Sequence, residues 1–325
     1  MAPPLLLYAG RRLLQAVPLV FVIFLINFTL IQAAPGNPID FLLGSSDATE
    51  EYIAQLRAEF GLDRPFLTQL LAYLGKVVQL DLGYSLRFRE DVLTLILSRL
   101  PATLLLMGSA LVVASLLGIL LGAVAARRPY SLTDNAATLL ALAGYSMPVF
   151  WLGQIMLLVF SLHLAMFPTQ GMMSLRAPRE GIGMVLDVAH HLVLPVATYS
   201  VYHLALVFRL TRVKMQETLA LDFVTTARAK GLPESRVVYG HALRNAMLPV
   251  VTVIGLNFGF MLAGSVLTET VFAWPGTGRL LYDAIGARDY PLLMGLFTVL
   301  SVMVILVNVL TDILYALIDP RVVYR

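Results

Sequence analysis

The longest polar interruption in the second half of this chain runs from Asp222 to Pro249 (DFVTTARAKGLPESRVVYGHALRNAMLP) and carries Arg228, Lys230, Glu234, Arg236, His241 and Arg244. Runs free of Asp, Glu, Lys and Arg stand on either side, Leu192 to Phe208 and Leu248 to Thr268. Ala227, Ala229 and Lys230 favour a helix, and Gly231-Leu232-Pro233 stops it. Pro233 and Glu234 suit the first turn of a second helix. The segment therefore reads as helix, glycine turn, helix, held between two membrane spans. A DNA-reading helix-turn-helix leaves the same trace, but spans on both sides leave no room for a soluble three-helix core.

Other candidate chemistry is sparse. His190 and His191 are adjacent, so they point to different sides of a helix and make a poor metal pair. Gly276-Thr277-Gly278 resembles a phosphate loop only loosely, since no Gly-Lys-Ser/Thr follows and no strand precedes it. Neither H-E-x-x-H nor G-x-S-x-G occurs, which argues against an intramembrane protease or acyl transferase. The residues point to no catalytic, cofactor-binding or metal-binding group.

The positioning elements follow from composition. Of 325 residues, 58% are hydrophobic and 13% charged, with mean hydropathy +0.81. Soluble domains carry roughly 25% charged residues, so there is too little charge here to cover a soluble surface. The apolar runs are continuous, as in helical spans and unlike the alternating strands of a barrel. A net charge of +3 and a pI near 9.2 fit basic cytoplasmic loops better than nucleic-acid binding. The chain has no cysteine, hence no disulfide framework and no thiolate metal site.

Six spans are expected: Leu13 to Ala34, Ala102 to Ala126, Asn135 to Met166, Leu192 to Phe208, Pro249 to Val271, and Pro291 to Ala316. A signal peptide is the weaker reading of the first run, which is long and lacks a clear small-x-small site. Arg11, Arg12, Arg127, Arg128, Arg209, Arg212, Lys214 and the tail residues Arg321 and Arg325 fall on one side, which the positive-inside rule makes cytoplasmic. Both termini are then inside. Residues 35–98 are expected outside, with Leu56, Phe60, Leu70, Leu71 and Leu74 on short amphipathic helices that cap the spans, dock a binding protein, or both. Gly118 and Gly122 allow close helix approach. Pro148, within Gly144-Tyr145-Ser146-Met147-Pro148, invites a kink in the third span. Tyr145, Ser146 and Asn257 are candidates for a translocation path, although Tyr145 and Ser146 fit a structural role equally well. Trp151 and His163 read as packing or interfacial residues.

The 222–249 segment resembles the cytoplasmic coupling loop of binding-protein-dependent ABC importer permeases. That loop carries E-A-A, then Gly, then I-x-L-P. Laid on Gly231, the pattern puts Thr225, Thr226 and Ala227 at the first motif and His241 to Arg244 at the last, so only Ala227, Gly231 and Leu243 match. ARAKG followed by HALRNAMLP looks like the variant of the dipeptide, oligopeptide and nickel permease subgroup. FGLDRP, DLGYS, GYSMPVFW and TETVFAWPGTGRLL resemble that subgroup too, and the likeness covers nearly the whole chain.

The resemblance implies an all-α polytopic fold of the type I ABC importer permease kind. Its parts would be an N-terminal segment with the first span (1–34), an extracytoplasmic segment (35–98), a core of five spans (99–316) with a coupling loop at 214–248, and a cytoplasmic tail (317–325). It implies a permease subunit of an inner-membrane importer, with no ATPase site of its own, that takes peptides or related small solutes such as glutathione or nickel complexes. Implied partners are a second permease subunit or a second copy, two ATPase subunits that use ATP, an extracytoplasmic binding protein and membrane lipid. Asp222, Phe223, Ala227, Arg228, Lys230, Gly231 and Leu232 would form the coupling site. Phe223, Ala227 and Leu232 would supply its apolar docking side, and Arg228 and Lys230 would meet carboxylates or lipid headgroups. The competing reading, an ion-coupled secondary transporter, calls for an ionisable residue inside the membrane, and the span cores lack Asp, Glu, Lys and Arg.

Overall fold

The computed structural model describes residues 2–33, 63–85, 87–174 and 180–318. The expected helix around Leu56 and Phe60, and Arg176, Arg179, Arg321 and Arg325, lie outside the described residues. Helix α1 (Ala2–Ala33) comes first, followed by α2 (Phe66–Val78) and a two-residue antiparallel pair, β1 (Tyr84–Ser85) with β2 (Glu90–Asp91). The bundle continues with α3 (Val92–Ala126), α4 (Leu132–Ser146), and α5 (Val149–Met156), which runs into a wide π turn at Leu157–His163. Then come α6 (Ile182–Leu219), α7 (Asp222–Ala229), a π turn (Arg236–Ala242) continuing as α8 (Leu243–Gly264), α9 (Val266–Val271), α10 (Thr277–Ala287) and α11 (Tyr290–Ile318).

Among the described residues, 5 helices are long and apolar enough to cross a membrane, and α4 with α5 makes a sixth span if the bent pair is counted as one. The bend between them is 103°. The expected kink at Pro148 is thus a full break. Met147 is extended (φ −81°, ψ 134°), as the residue before a proline prefers.

Three span limits differ from the sequence expectation. Helix α3 starts at Val92 instead of Ala102, because Val92, Leu95 and Ile96 have a buried surface to cover, packing with Leu280, Leu292 and Leu296. Helix α6 starts at Ile182 instead of Leu192, so Asp187 and His191 both lie on it. Asp187 there accepts hydrogen bonds from the Ser174 N–H (2.6 Å) and hydroxyl (2.8 Å). The fifth span begins at Arg236 instead of Pro249, since Val237, Val238, Ala242, Ala246 and Val250 are all buried at helical spacing, and it gives way to α9 after Gly264.

Polar pairs mark the two ends of the bundle. At one end Arg12 meets Asp312 (3.1 Å), joining the first and last spans. At the same end as the elbow α7, buried Asp134 receives Arg212 through Nε and through Nη2 (2.7 Å). Ser131 caps α4 by accepting the Asp134 N–H (3.3 Å). At the far end Ser85 donates to Asp289 (2.6 Å), and α2 packs through Leu70 and Tyr73 beside Phe28 and Met294. Small residues permit the close contacts between: a Cβ on Gly118 would sit 2.9 Å from Val207, and one on Gly122 2.8 Å from the Phe208 carbonyl.

Candidate functional site

Helix α7 forms an elbow between α6 and the fifth span. Its end is a Schellman motif: the Gly231 N–H donates to the Arg228 carbonyl (2.9 Å) and the Leu232 N–H to the Ala227 carbonyl (3.4 Å). Gly231 takes φ +76°, the left-handed conformation that glycine adopts without cost. The apolar contact that accompanies such a motif is present, since Ala227 is buried and Leu232 packs on the same cluster with Val224, Met215, Ala123, Val237 and Val238.

This geometry divides the expected coupling residues. Ala227 and Leu232 face the chain's own apolar cluster, because the Schellman turn folds Leu232 back over Ala227. Asp222, Phe223, Arg228, Lys230 and Gly231 are exposed, together with Thr225 and Thr226. Arg228 is not free to reach outward: its Nη2 lies 2.8 Å from Glu234 Oε1 and its Nε 3.2 Å from Oε2. The guanidinium hydrogen bonds hold the Glu234 carboxyl below the ordinary carboxylate range, with Arg127 acting in the same direction.

The far end carries a second elbow that the sequence reading missed. Glu269 is fully buried. It accepts the Thr103 hydroxyl (2.8 Å) and the Arg279 N–H (2.9 Å). The Thr277 N–H closes the network on Thr103 Oγ1 (2.8 Å), and Trp274 donates its indole N–H to the Ala102 carbonyl (2.8 Å). The N-terminus of α10 thus holds the chain's own carboxylate where an external anion would sit. Gly276 makes room for it, since a Cβ there would strike that carboxyl, and Gly278 makes room for the close approach of Val266. The signal available in sequence was an acid at the end of an apolar run, followed by glycines.

The path candidates also separate. Ser146 donates to the Leu142 carbonyl of its own helix (2.9 Å), a structural role. Tyr145 stacks on Tyr202 (centroids 4.7 Å apart, planes at 17°), and the Tyr202 hydroxyl lies 3.4 Å from that of Tyr145. Tyr202 meets His203 edge-on at 5.3 Å, and Asn257, which lies beside His203, donates to the Val253 carbonyl of its own helix (2.7 Å). Tyr145 and Asn257 are therefore joined through two residues that a tally of charges alone passed over. His190 bonds the Met166 carbonyl (2.9 Å) and His191 the Asp187 carbonyl (2.8 Å), so the adjacent imidazoles have separate partners.

Long apolar helices, a broken span and a short amphipathic helix turned out at one end are the parts of a membrane permease. The chain matches the family described as binding-protein-dependent transport system inner membrane component over residues 118–324, and its N-terminal counterpart over residues 5–107. It belongs to that family, as a multi-pass permease component of an ABC importer; the ion-coupled alternative is set aside. Curated relatives include the di/tripeptide transport system permease protein DppB of Pseudomonas aeruginosa (42% identical, covering 98% of this chain and 99% of the relative). The dipeptide transport system permease protein DppB of Escherichia coli K12 is 41% identical, with 97% and 98% covered. The oligopeptide transport system permease protein AppB of Bacillus subtilis is 39% identical, with 98% and 99% covered. The MetNI methionine ABC transporter in an inward-facing form shares the fold, with TM-score 0.54 at 16% identity over 71% of this chain and 97% of that one.

Proposed function

We propose that this chain is the permease subunit of an importer for short peptides, and that α7 is the element through which ATPase subunits move it. The peptide assignment is supported by relatives at about 40% identity over nearly the whole chain, which are named as peptide permeases. The observation that carries the coupling role is the form of the elbow: an eight-residue helix anchored by Val224 and Ala227 while Asp222, Phe223, Thr225, Thr226 and Lys230 remain exposed. A load on that face passes to α6 and the fifth span through one apolar cluster. The docking face is the Phe223–Thr226 side, and Ala227 and Leu232 transmit rather than touch.

In this reading the chain has no ATPase site. Two ATPase subunits supply the work, a binding protein delivers solute, and a second permease subunit, related or identical, completes the path. The elbow end is cytoplasmic, as its cations favour, with both termini on that side. The test is purification of the intact chain with its associated subunits from membranes, followed by reconstitution into vesicles. Uptake of a labelled dipeptide that requires ATP and the binding protein supports the reading. Uptake by the chain alone on an ion gradient, without nucleotide hydrolysis, overturns it.

A further inference from the structure

The break in the third span stands beside a line of aromatic and polar side chains that runs from α4 across α6 toward α8. Helix α4 has 15 residues, so at about 1.5 Å per residue the break lies about 22 Å along the span, inside a hydrocarbon core roughly 30 Å thick. His203 stands about 14 Å along α6 from Arg212 by the same rise, which places it at membrane depth as well. Pro148 offers no N–H to the carbonyl of Gly144, and α4 stops at Ser146, so the carbonyls of its last turn lose their helical donors. Irregular backbone at this depth is tolerated where protein buries it or where it lines a water-filled cavity. Protein covers it only in part: Gly144 is buried, but Tyr145 is 46% exposed, and Ser146 and Met147 lie at the surface or close to it. Lipid is a poor cover for two phenol hydroxyls beside free carbonyls.

Behind that surface the polarity continues inward. His203 is 93% buried, being 7% exposed, and among the described residues its Nδ1 has no hydrogen-bond partner. A buried imidazole with an open nitrogen inside a span marks a functional position by its cost. Tyr199 flanks it at 5.2 Å and is itself tied to the Met261 carbonyl (3.2 Å), which fixes α6 against α8.

We infer that Tyr145, Tyr202, His203 and Asn257, with the open carbonyls at the α4 break, form a polar station on the aqueous path that hydrogen-bonds the amide groups of a passing peptide. The inference rests on the permease reading above and adds the chemistry of the path. Every side chain in the group is a phenol, an imidazole or an amide, and each both donates and accepts. No Asp, Glu, Lys or Arg stands in the group, so net charge on the solute is not what it reads. Amides, which carry one donor and one acceptor each, match it, and the tyrosine rings supply faces for apolar side chains. Contacts of this kind are individually weak, which suits a station that must release its cargo.

The absence of native cysteine makes the test direct. Tyr145→Cys and Tyr202→Cys are prepared separately in the assembled importer and exposed to a membrane-impermeant thiol reagent, with and without ATP, and with trialanine as probe. Modification that ATP changes and trialanine slows at least threefold is the expected result. A thiol inert at both positions in every nucleotide state, or one that reacts without protection by trialanine, overturns the inference. Uptake by the unmodified importer is measured in the same vesicles. ATP-driven uptake with inert thiols leaves the permease reading standing and removes only the station, whereas loss of ATP dependence removes the reading beneath it. As a second variant, Tyr145→Phe with Tyr202→Phe keeps the rings, and is expected to raise KM for trialanine roughly three- to tenfold. An unchanged KM overturns the hydrogen-bonding role.

Discussion

The chain turns through a short helix and a glycine at each end of its bundle, and the two turns are held in opposite ways. At the elbow α7 the polar groups point outward. Its one ion pair, Arg228 with Glu234, is exposed at 45% and 48%, and the turn itself is made by backbone hydrogen bonds around Gly231. At the far elbow the polar groups point inward: Glu269, Thr103 and Thr277 are all buried and bind one another. The first turn can be pushed and bent without stranding any group, since water remains available to each. The second cannot move without breaking hydrogen bonds that no solvent replaces. One end of the molecule is built to take up motion and the other to hold the span α3 to the short helices α9 and α10.

The largest effect that would break this contrast is at Glu269. Glu269→Ala removes the acceptor of the buried Thr103 hydroxyl and of the Arg279 N–H and is expected to cost about 3 kcal/mol, read as loss of monodisperse protein after graded heating in detergent. Stability close to that of the unaltered chain would show the far elbow to be no firmer than the near one. Next come the two glycines, which resist a side chain for different reasons. Gly276→Ala drives a methyl group into the Glu269 carboxyl and is expected to cost about 2 kcal/mol. A Cβ added at Gly231 would meet nothing within 4 Å, so Gly231→Asp faces only the left-handed backbone and costs about 1 kcal/mol. Its larger consequence is functional: peptide uptake is expected to be lost while insertion and fold persist, measured in vesicles with the ATPase subunits still bound. Normal uptake with the ATPase assembled would remove α7 from the coupling role.

The smallest effect is expected at the exposed ion pair. Arg228→Ala should cost under about 1 kcal/mol. Because Arg228 depresses the Glu234 carboxyl, the pair stabilises above the unfolded-state pKa of the glutamate and loses that contribution as pH falls through the depressed folded value. The unaltered and Arg228→Ala proteins should therefore differ at neutral pH and converge in acid, in thermal unfolding measured across pH. A difference that grows on acidification would contradict the assignment.

The number and kind of spans were legible in the sequence because apolar runs of membrane length need little context. Their limits were not. Val92, Leu95 and Ile96 extend α3 only because Leu280 and Leu292, nearly two hundred residues along the chain, cover them, and no local pattern carries that. The elbow was legible from Gly231 and Pro233, yet which face it showed was not. Ala227 and Phe223 look equally apolar in sequence, and only the fold-back of Leu232 decides that one is buried and the other exposed. Glu269 and His203 were passed over for a related reason. A lone polar residue in an apolar stretch gains meaning from its partners, Thr103 and Asn257, which arrive from other helices.

The central claim is that work enters this permease through the exposed face of α7. With no native cysteine to interfere, Thr226→Cys carrying a photoactivatable cross-linker can be irradiated in membranes containing the transport-competent complex, with Leu67→Cys on the far end as the control. The account predicts an adduct joining this chain to an ATP-hydrolysing subunit from Thr226 and none from Leu67. An adduct with lipid alone from Thr226, in a complex that still imports peptide, would contradict it.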